Sequence, residues 1–237
     1  MDKSACLTVN HLGFSYHPGV KILSDISLTA REGETIGLIG ANGMGKSTLL
    51  KILVGLLEHE EGDAEICGIP LKKENYREIR KLTGYVFQDS DSQLFMPTVY
   101  EDVMFGPKNY GFDDKEARER TDAALAMVHM EGFGKRRIYE LSGGEKKRIS
   151  IATILALSPK IILMDEPTVA LDPKNRKNFM QVLKELQGLK IIATHDLGMV
   201  EQCCDRVILL DRGKIAADGD AKKILSDEKL LKEHGLY

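Results

Sequence analysis

The chain has 237 residues, 43% of them hydrophobic. That is enough for one large domain, or two intimately packed subdomains, to bury most of its apolar surface. Its net charge of −3 lacks the basic excess that phosphate-backbone binding requires, which excludes nucleic acid as the main partner. No apolar run approaches the roughly 18 residues of a membrane span, and the first 16 residues have no basic stretch followed by an apolar one, so no signal peptide is expected.

In chain order, residues 6–12 alternate apolar and polar side chains, as a half-buried strand does, and residues 26–30 do the same. Residues 35–40 (TIGLIG) are apolar and unbroken, which suits a strand buried on both faces. A helix should follow, from Gly45 or Lys46 to about Leu57, and then strands at 63–67 and 83–87. Residues 89–157 are rich in helix formers, with helical periodicity over 115–128 and 144–157. After Pro159 strands return at 161–164, 191–194 and 207–210, separated by helices over 173–186 and 197–203. Alternating buried strands and helices imply an α/β fold with a mostly parallel sheet covered on both faces. The helical stretch reads as an insertion, giving a core of 1–88 and 159–237 and a helical subdomain of 89–158. The tail after Asp211 is short and polar, with 221–225 and 230–236 as its apolar helical candidates. The four cysteines, Cys6, Cys67, Cys203 and Cys204, form no C-x-x-C pair and no His/Cys cluster, so they read as reduced, structural thiols of the cytosol.

Three segments carry chemistry. Gly40-Ala41-Asn42-Gly43-Met44-Gly45-Lys46-Ser47-Thr48 matches G-x-x-x-x-G-K-[ST] between a buried strand and an amphipathic helix. Its glycines let backbone N–H groups turn inward around phosphates, and the helix N-terminus adds partial positive charge. Lys46 would bridge the β- and γ-phosphates of a nucleotide, Ser47 would ligate Mg²⁺, and Thr48 would support the α-phosphate. Second, the apolar strand 161–164 ends in Asp165-Glu166. Unpaired charge at the tip of a buried strand is expensive, so a functional pair is expected. Asp165 would hold Mg²⁺ through its waters, and Glu166 would be the general base on the attacking water. Third, Leu141-Ser142-Gly143-Gly144-Glu145 precedes a helix. Ser142 and Glu145 have capping-box spacing. Capping alone does not explain two glycines, which weaken a helix. A second anion site, made by the Ser142 hydroxyl and the Gly143 and Gly144 amides, would explain them.

These motifs, in this order, resemble Walker A, the signature and Walker B of the nucleotide-binding subunits of ATP-binding cassette (ABC) transporters, over essentially the whole chain. The resemblance implies a P-loop NTPase fold, with a RecA-like core, an N-terminal antiparallel β subdomain and an inserted α-helical subdomain. It places Tyr16 where an aromatic stacks on adenine and Gln88 at the Q-loop, touching Mg²⁺ and relaying to a membrane partner. Leu171-Asp172 matches the D-loop, and His195 the switch histidine that contacts the γ-phosphate. Two positions depart from the pattern: Glu145 stands where Gln is common, and Val169 where Ser is. Glu145 adds negative charge near bound phosphate. Neither change removes a residue that must ionise or ligate Mg²⁺, so an active ATPase is expected.

With one phosphate loop and one signature, the resemblance implies two ATP molecules sandwiched in a head-to-tail dimer, with a second copy or a related ATPase subunit. Transport would then need separate integral membrane subunits, with this chain peripheral on the cytoplasmic face of the membrane. Phe87-Gln88-Asp89, Gln93-Leu94-Phe95, Pro97-Thr98-Val99, Glu101-Asp102-Val103 and Phe105-Gly106-Pro107 look like the ATPase component of energy-coupling-factor importers, the cobalt and nickel members above all. Asp89, Asp91, Glu101 and Asp102 would form an acidic groove for basic side chains of a coupling helix, or simply a solvated face. A non-transport cassette ATPase, such as one for iron–sulfur cluster assembly, is the competing reading, marked by soluble rather than membrane partners. A binding-only regulator is the third, and intact Lys46, Asp165, Glu166 and His195 argue against it.

Overall fold

A computed structural model describes residues 5–236; the reading of the N-terminus as lacking a signal peptide rests partly on Met1–Ser4, which lie outside it. The chain opens with a hairpin, β1 (Ala5–His17) and β2 (Val20–Arg31), turning at Pro18-Gly19. β3 (Thr35–Ile39) is buried throughout and leads into α1 (Lys46–Leu53). This helix stops short of the expected Leu57 because Val54 caps it and Gly55 takes φ +70°. β4 (Glu61–Ile66) and β5 (Ile69–Pro70) complete an antiparallel sheet in the order β2-β1-β4-β5. Both hairpin strands run longer than their alternation suggested, since register shifts after Val9 and a positive φ at His11 break the period of two.

α2 (Tyr76–Leu82) and β6 (Thr83–Val86) return the chain to a second sheet, and the described residues between β6 and Pro159 are mainly helical. They hold α3 (Val99–Asn109), α4 (Asp114–Met127) and α5 (Gly143–Leu155), capped by Thr98, Asp113 and Ser142, each accepting a backbone N–H three residues on. β7 (Ile161–Asp165), α6 (Pro173–Glu185), β8 (Leu189–Ala193), α7 (Leu197–Cys203) and β9 (Arg206–Asp211) follow as expected. The tail is more structured than its composition indicated. β10 (Lys214–Asp220) pairs antiparallel with β9, and α8 (Ala221–Ser226) and α9 (Glu228–Glu233) bury Ile224 and Leu231 in the core.

The second sheet has the order β10-β9-β3-β8-β7-β6, parallel except at β10. Its strands alternate between two cores. Ile162 and Met164 of β7 face the helices, whereas Ile161 and Leu163 face α1 and the antiparallel sheet. The strand order decides where chemistry collects. β8 lies between β3 and β7, and β6 lies beyond β7, so the loops leaving β3, β8, β7 and β6 emerge together at the carboxyl edge. Ligands of open α/β sheets bind at that edge. They carry Gly40–Lys46, His195, Asp165-Glu166 and Gln88 respectively.

The β1–β4 pairing also joins two cysteines that sequence spacing did not connect. The Cys6 and Cys67 sulfurs lie 3.2 Å apart, and burial, together with the Cys67 contact, pushes the Cys6 thiol up to about 12. Among the described residues no helix is long and apolar enough to cross a membrane, and no cluster of three His, Cys, Asp or Glu side chains could hold a metal.

Candidate functional site

At the carboxyl edge, Asn42, Gly43 and Gly45 through Thr48 floor a cleft of about 600 Å³ whose walls carry Tyr16, Gln88, Glu166 and His195. Gly45 is the N-cap of α1 at φ +98°, and a Cβ there would lie 2.7 Å from Leu23, so both backbone and space require glycine. Lys46 is 6% exposed, and its ammonium donates to the carbonyls of Gly40 (2.6 Å) and Ala41 (3.2 Å). Burial pushes its pKa down, and the nearby Glu166 and Asp165 charges oppose that shift. The carbonyl contacts hold the cation at the mouth of a helix N-terminus, a combination suited to a polyanion.

Ser47 Oγ donates to Asp165 Oδ1 at 2.7 Å, across 118 residues of sequence. The other carboxylate oxygen accepts the hydroxyl of Tyr85 at 3.1 Å. In the sequence Tyr85 is one residue of the 83–87 strand, and a strand residue gives no sign that it will meet the carboxylate at the tip of β7. Hydroxyl, carboxylate and the amide of Gln88 nearby form a hard oxygen donor set, which fits Mg²⁺. Glu166 sits at φ +44°, an unusual backbone for a non-glycine residue, fixed by its N–H bond to Ala193 O. That conformation brings its carboxylate 2.9 Å from His195 Nδ1 and 3.3 Å from the His195 amide. Asp196, the next residue, caps α7 and accepts two bonds from Arg176. Tyr16 is half exposed, its hydroxyl 3.3 Å from Thr48 Oγ1 and its ring edge-on to Phe14, leaving the ring open to a stacking partner.

Ser142, Gly143 and Gly144 do not line this cleft. They begin α5, where Glu145 accepts from the Ser142 amide (2.7 Å) and hydroxyl (2.8 Å), completing the expected capping box. Burial works to raise the pKa of Glu145, but these bonds and Arg136 and Arg148 outweigh it and hold it below its ordinary value. The two glycines have different reasons. A Cβ on Gly144 would collide with Asn175, whereas a Cβ on Gly143 would meet nothing within 4 Å. Gly144 is therefore explained by packing, and Gly143 is not.

The acidic groove needs correction. Asp102 is 3% exposed and accepts the amides of Phe95 and Met96, both at 2.9 Å, so it closes a loop and offers no charge to a partner. Glu101 closes the capping box with Thr98, Asp91 pairs with Lys146 at 2.6 Å, and Asp89 accepts from Asp91 and Ser92. Asp89, Asp91 and Glu101 stay exposed while making these local bonds, and beside them the surface presents two aromatic rings, Phe95 and Phe105, 64% and 43% exposed, packed edge to face.

Residues 23–169 match the ABC transporter family. The chain is 42% identical over 230 residues to the energy-coupling factor transporter ATP-binding protein EcfA of Methanocaldococcus jannaschii, covering 95% of this chain and 82% of that protein. It superposes with a TM-score of 0.88 and 34% identity on cbiO1 of Clostridium perfringens, part of the ABC transporter complex cbiONQ, covering 99% of this chain and 96% of that one. A dimeric ATP-binding cassette, MJ0796, in a post-hydrolysis state bound to ADP and Pi, matches with a TM-score of 0.80 and 30% identity over 91% of this chain and 98% of that one. The antiparallel sheet, the parallel sheet with its phosphate loop, and these matches together make the chain a member of the ABC transporter family, an ATP-hydrolysing cassette with relatives among energy-coupling factor ATPases.

Proposed function

We propose that this cassette is the motor of an energy-coupling-factor importer. It binds Mg·ATP in the cleft, closes around two nucleotides with a second copy or a related ATPase subunit, and drives separate membrane subunits from the cytoplasmic face. The observation that carries the reading is a site complete but divided. Ser47 and Asp165 meet at 2.7 Å, and Glu166 and His195 at 2.9 Å, while the signature at the start of α5 stands outside their cleft with Gly143 uncovered. An anion site displayed away from the catalytic groups suits a nucleotide held by another subunit, as the dimeric ADP-and-Pi cassette among its structural neighbours suggests.

The residues take the following parts. The P-loop amides and Lys46 neutralise the phosphates, and Tyr16 stacks on the base. Ser47, Asp165 and Gln88 would hold Mg²⁺, which supplies charge stabilisation at the phosphates. Glu166 accepts a proton from the attacking water, and its bond with His195 keeps that carboxylate oriented until the histidine turns to the γ-phosphate. Loss of the shared γ-phosphate removes the anion that both subunits hold, and the interface opens. The exposed Phe95–Phe105 pair beside the Q-loop gives a membrane subunit an apolar foothold.

The cargo we infer is a transition metal ion, cobalt or nickel, or a vitamin, because the segment from Phe87 to Pro107 resembles the ATPase component of the cobalt and nickel energy-coupling-factor importers; that the relatives include EcfA supports the importer class. The test is to purify the chain from native membranes, identify its membrane partners, and measure uptake of labelled Co²⁺, Ni²⁺ and vitamins in cells carrying the wild type or Glu166→Gln. Uptake of one of these, lost in the variant, supports the reading. Recovery with soluble partners alone, such as iron–sulfur scaffolds, overturns it.

A further inference from the structure

Lys147 is a buried lysine that the motifs leave unused. It lies in the second turn of α5, is 3% exposed, and its Nζ donates to the carbonyls of Phe87 (2.9 Å) and Gln88 (2.8 Å). It forms no ion pair among the described residues. A buried cation held only by carbonyls is costly, and an apolar side chain would fill the same space without that cost. Burial pushes its pKa down to about 8, against the more distant Asp89 and Asp165 charges.

What the ammonium does there is geometric. In an extended strand consecutive carbonyls point to opposite sides. One cation can bridge the carbonyls of Phe87 and Gln88 only where β6 has ended and the chain has turned. Gln93 fastens the same turn from its other end. Its Oε1 accepts the Phe87 amide (3.1 Å), and its Nε2 donates to Ser150 O (2.7 Å) and Thr153 Oγ1 (2.9 Å). Lys146 adds a bond to Asp91. Residues 87–93 are thus stitched to the helix whose N-terminus bears Ser142, Gly143 and Gly144, and Gln88 lines the nucleotide cleft.

We propose that Lys147 is a positioning residue for Gln88: it pins the turn after β6 to the signature helix, so that Gln88 reaches the cleft and the two half-sites carried by one chain move as one body. The proposal rests on the reading of Gln88 as a group that acts in that cleft.

The test is a double-mutant cycle in the full chain with Lys147→Met, Gln88→Ala and the pair, reading steady-state ATPase and hydrogen exchange of residues 87–93. If Lys147 acts through Gln88, each single change lowers kcat by about tenfold or more with KM for ATP within about threefold. The pair is then no more than about twofold below the worse single. Exchange at 87–93 rises in Lys147→Met while α1 keeps its protection. Gln93→Leu, which cuts the other stitch, gives the same pattern and replaces Lys147→Met if that variant does not fold. Multiplied losses in the pair, or normal kcat with a loosened 87–93 segment, overturn the proposal. Normal kcat in Gln88→Ala alone instead overturns the reading of Gln88 on which it rests.

Discussion

Tyr85→Phe removes a single oxygen from the site, and the structure sets how much that should matter. The side chain is 7% exposed, its hydroxyl donates to Asp165 Oδ2 at 3.1 Å, and its ring packs edge-on to Phe87 with centroids 4.7 Å apart. Burial first, and the Asp165 charge second, push the phenol above its ordinary value, so it remains a protonated donor throughout the neutral range. A hydrogen bond to a charged group contributes about 1.5–3 kcal/mol. At 3.1 Å the lower end applies, about tenfold in an equilibrium, and losses of outer partners of a metal ligand run about 10–100-fold. Phenylalanine keeps the ring contacts, so the fold should survive. MgATP should therefore bind about tenfold more weakly to the variant, while ATP in EDTA binds as to the wild type. Fluorescent-nucleotide titrations with and without Mg²⁺ measure both. An equal loss in EDTA, or no loss with Mg²⁺, would refute the view that Tyr85 acts by orienting Asp165.

Lys46→Ala should abolish phosphate release while circular dichroism stays native, because it deletes the main side-chain charge on the β/γ-phosphates; near-normal turnover would overturn the phosphate-loop assignment. Glu166→Gln should slow hydrolysis by about 10² or more and give a monomer without nucleotide, a dimer with ATP, and none with ADP, as read by light scattering; a monomer at saturating ATP would sink the sandwich arrangement for the isolated subunit. Asp102→Ala orphans two amides at about 1–2 kcal/mol each, lowering the Tm by roughly 4–16 °C, whereas a freely solvated carboxylate would give almost no change. Burial raises the folded pKa of Asp102, with the Met96 and Phe95 amides opposing, so its favourable contribution is full below the unfolded value and is lost as pH rises through the folded one. Urea midpoints of wild type relative to Asp102→Asn should accordingly fall as pH rises from about 4.

The local geometry of the P-loop, of the strand tip at Asp165-Glu166 and of the Ser142–Glu145 cap was legible in sequence because each is a run of neighbouring residues with a fixed spacing. Most buried strands and helices were legible too, since a strand covered on both faces is continuously apolar and a capped helix shows its cap. The hairpin bulges near His11 and the edge strand β10 were not: the first break the register, and in β10 the inward positions are Ile215, Ala217 and Gly219, too small on average to mark a hydrophobic alternation in the sequence. Asp102 looked like a surface charge, and only the folded loop shows it accepting two amides. Cys6 with Cys67, Tyr85 with Asp165, and Lys147 with Gln88 are each separated by 59 to 80 residues. Local sequence fixes what a side chain can donate or accept; which partner it meets depends on strand order and helix packing, and those are decided only when the whole chain buries its apolar faces together.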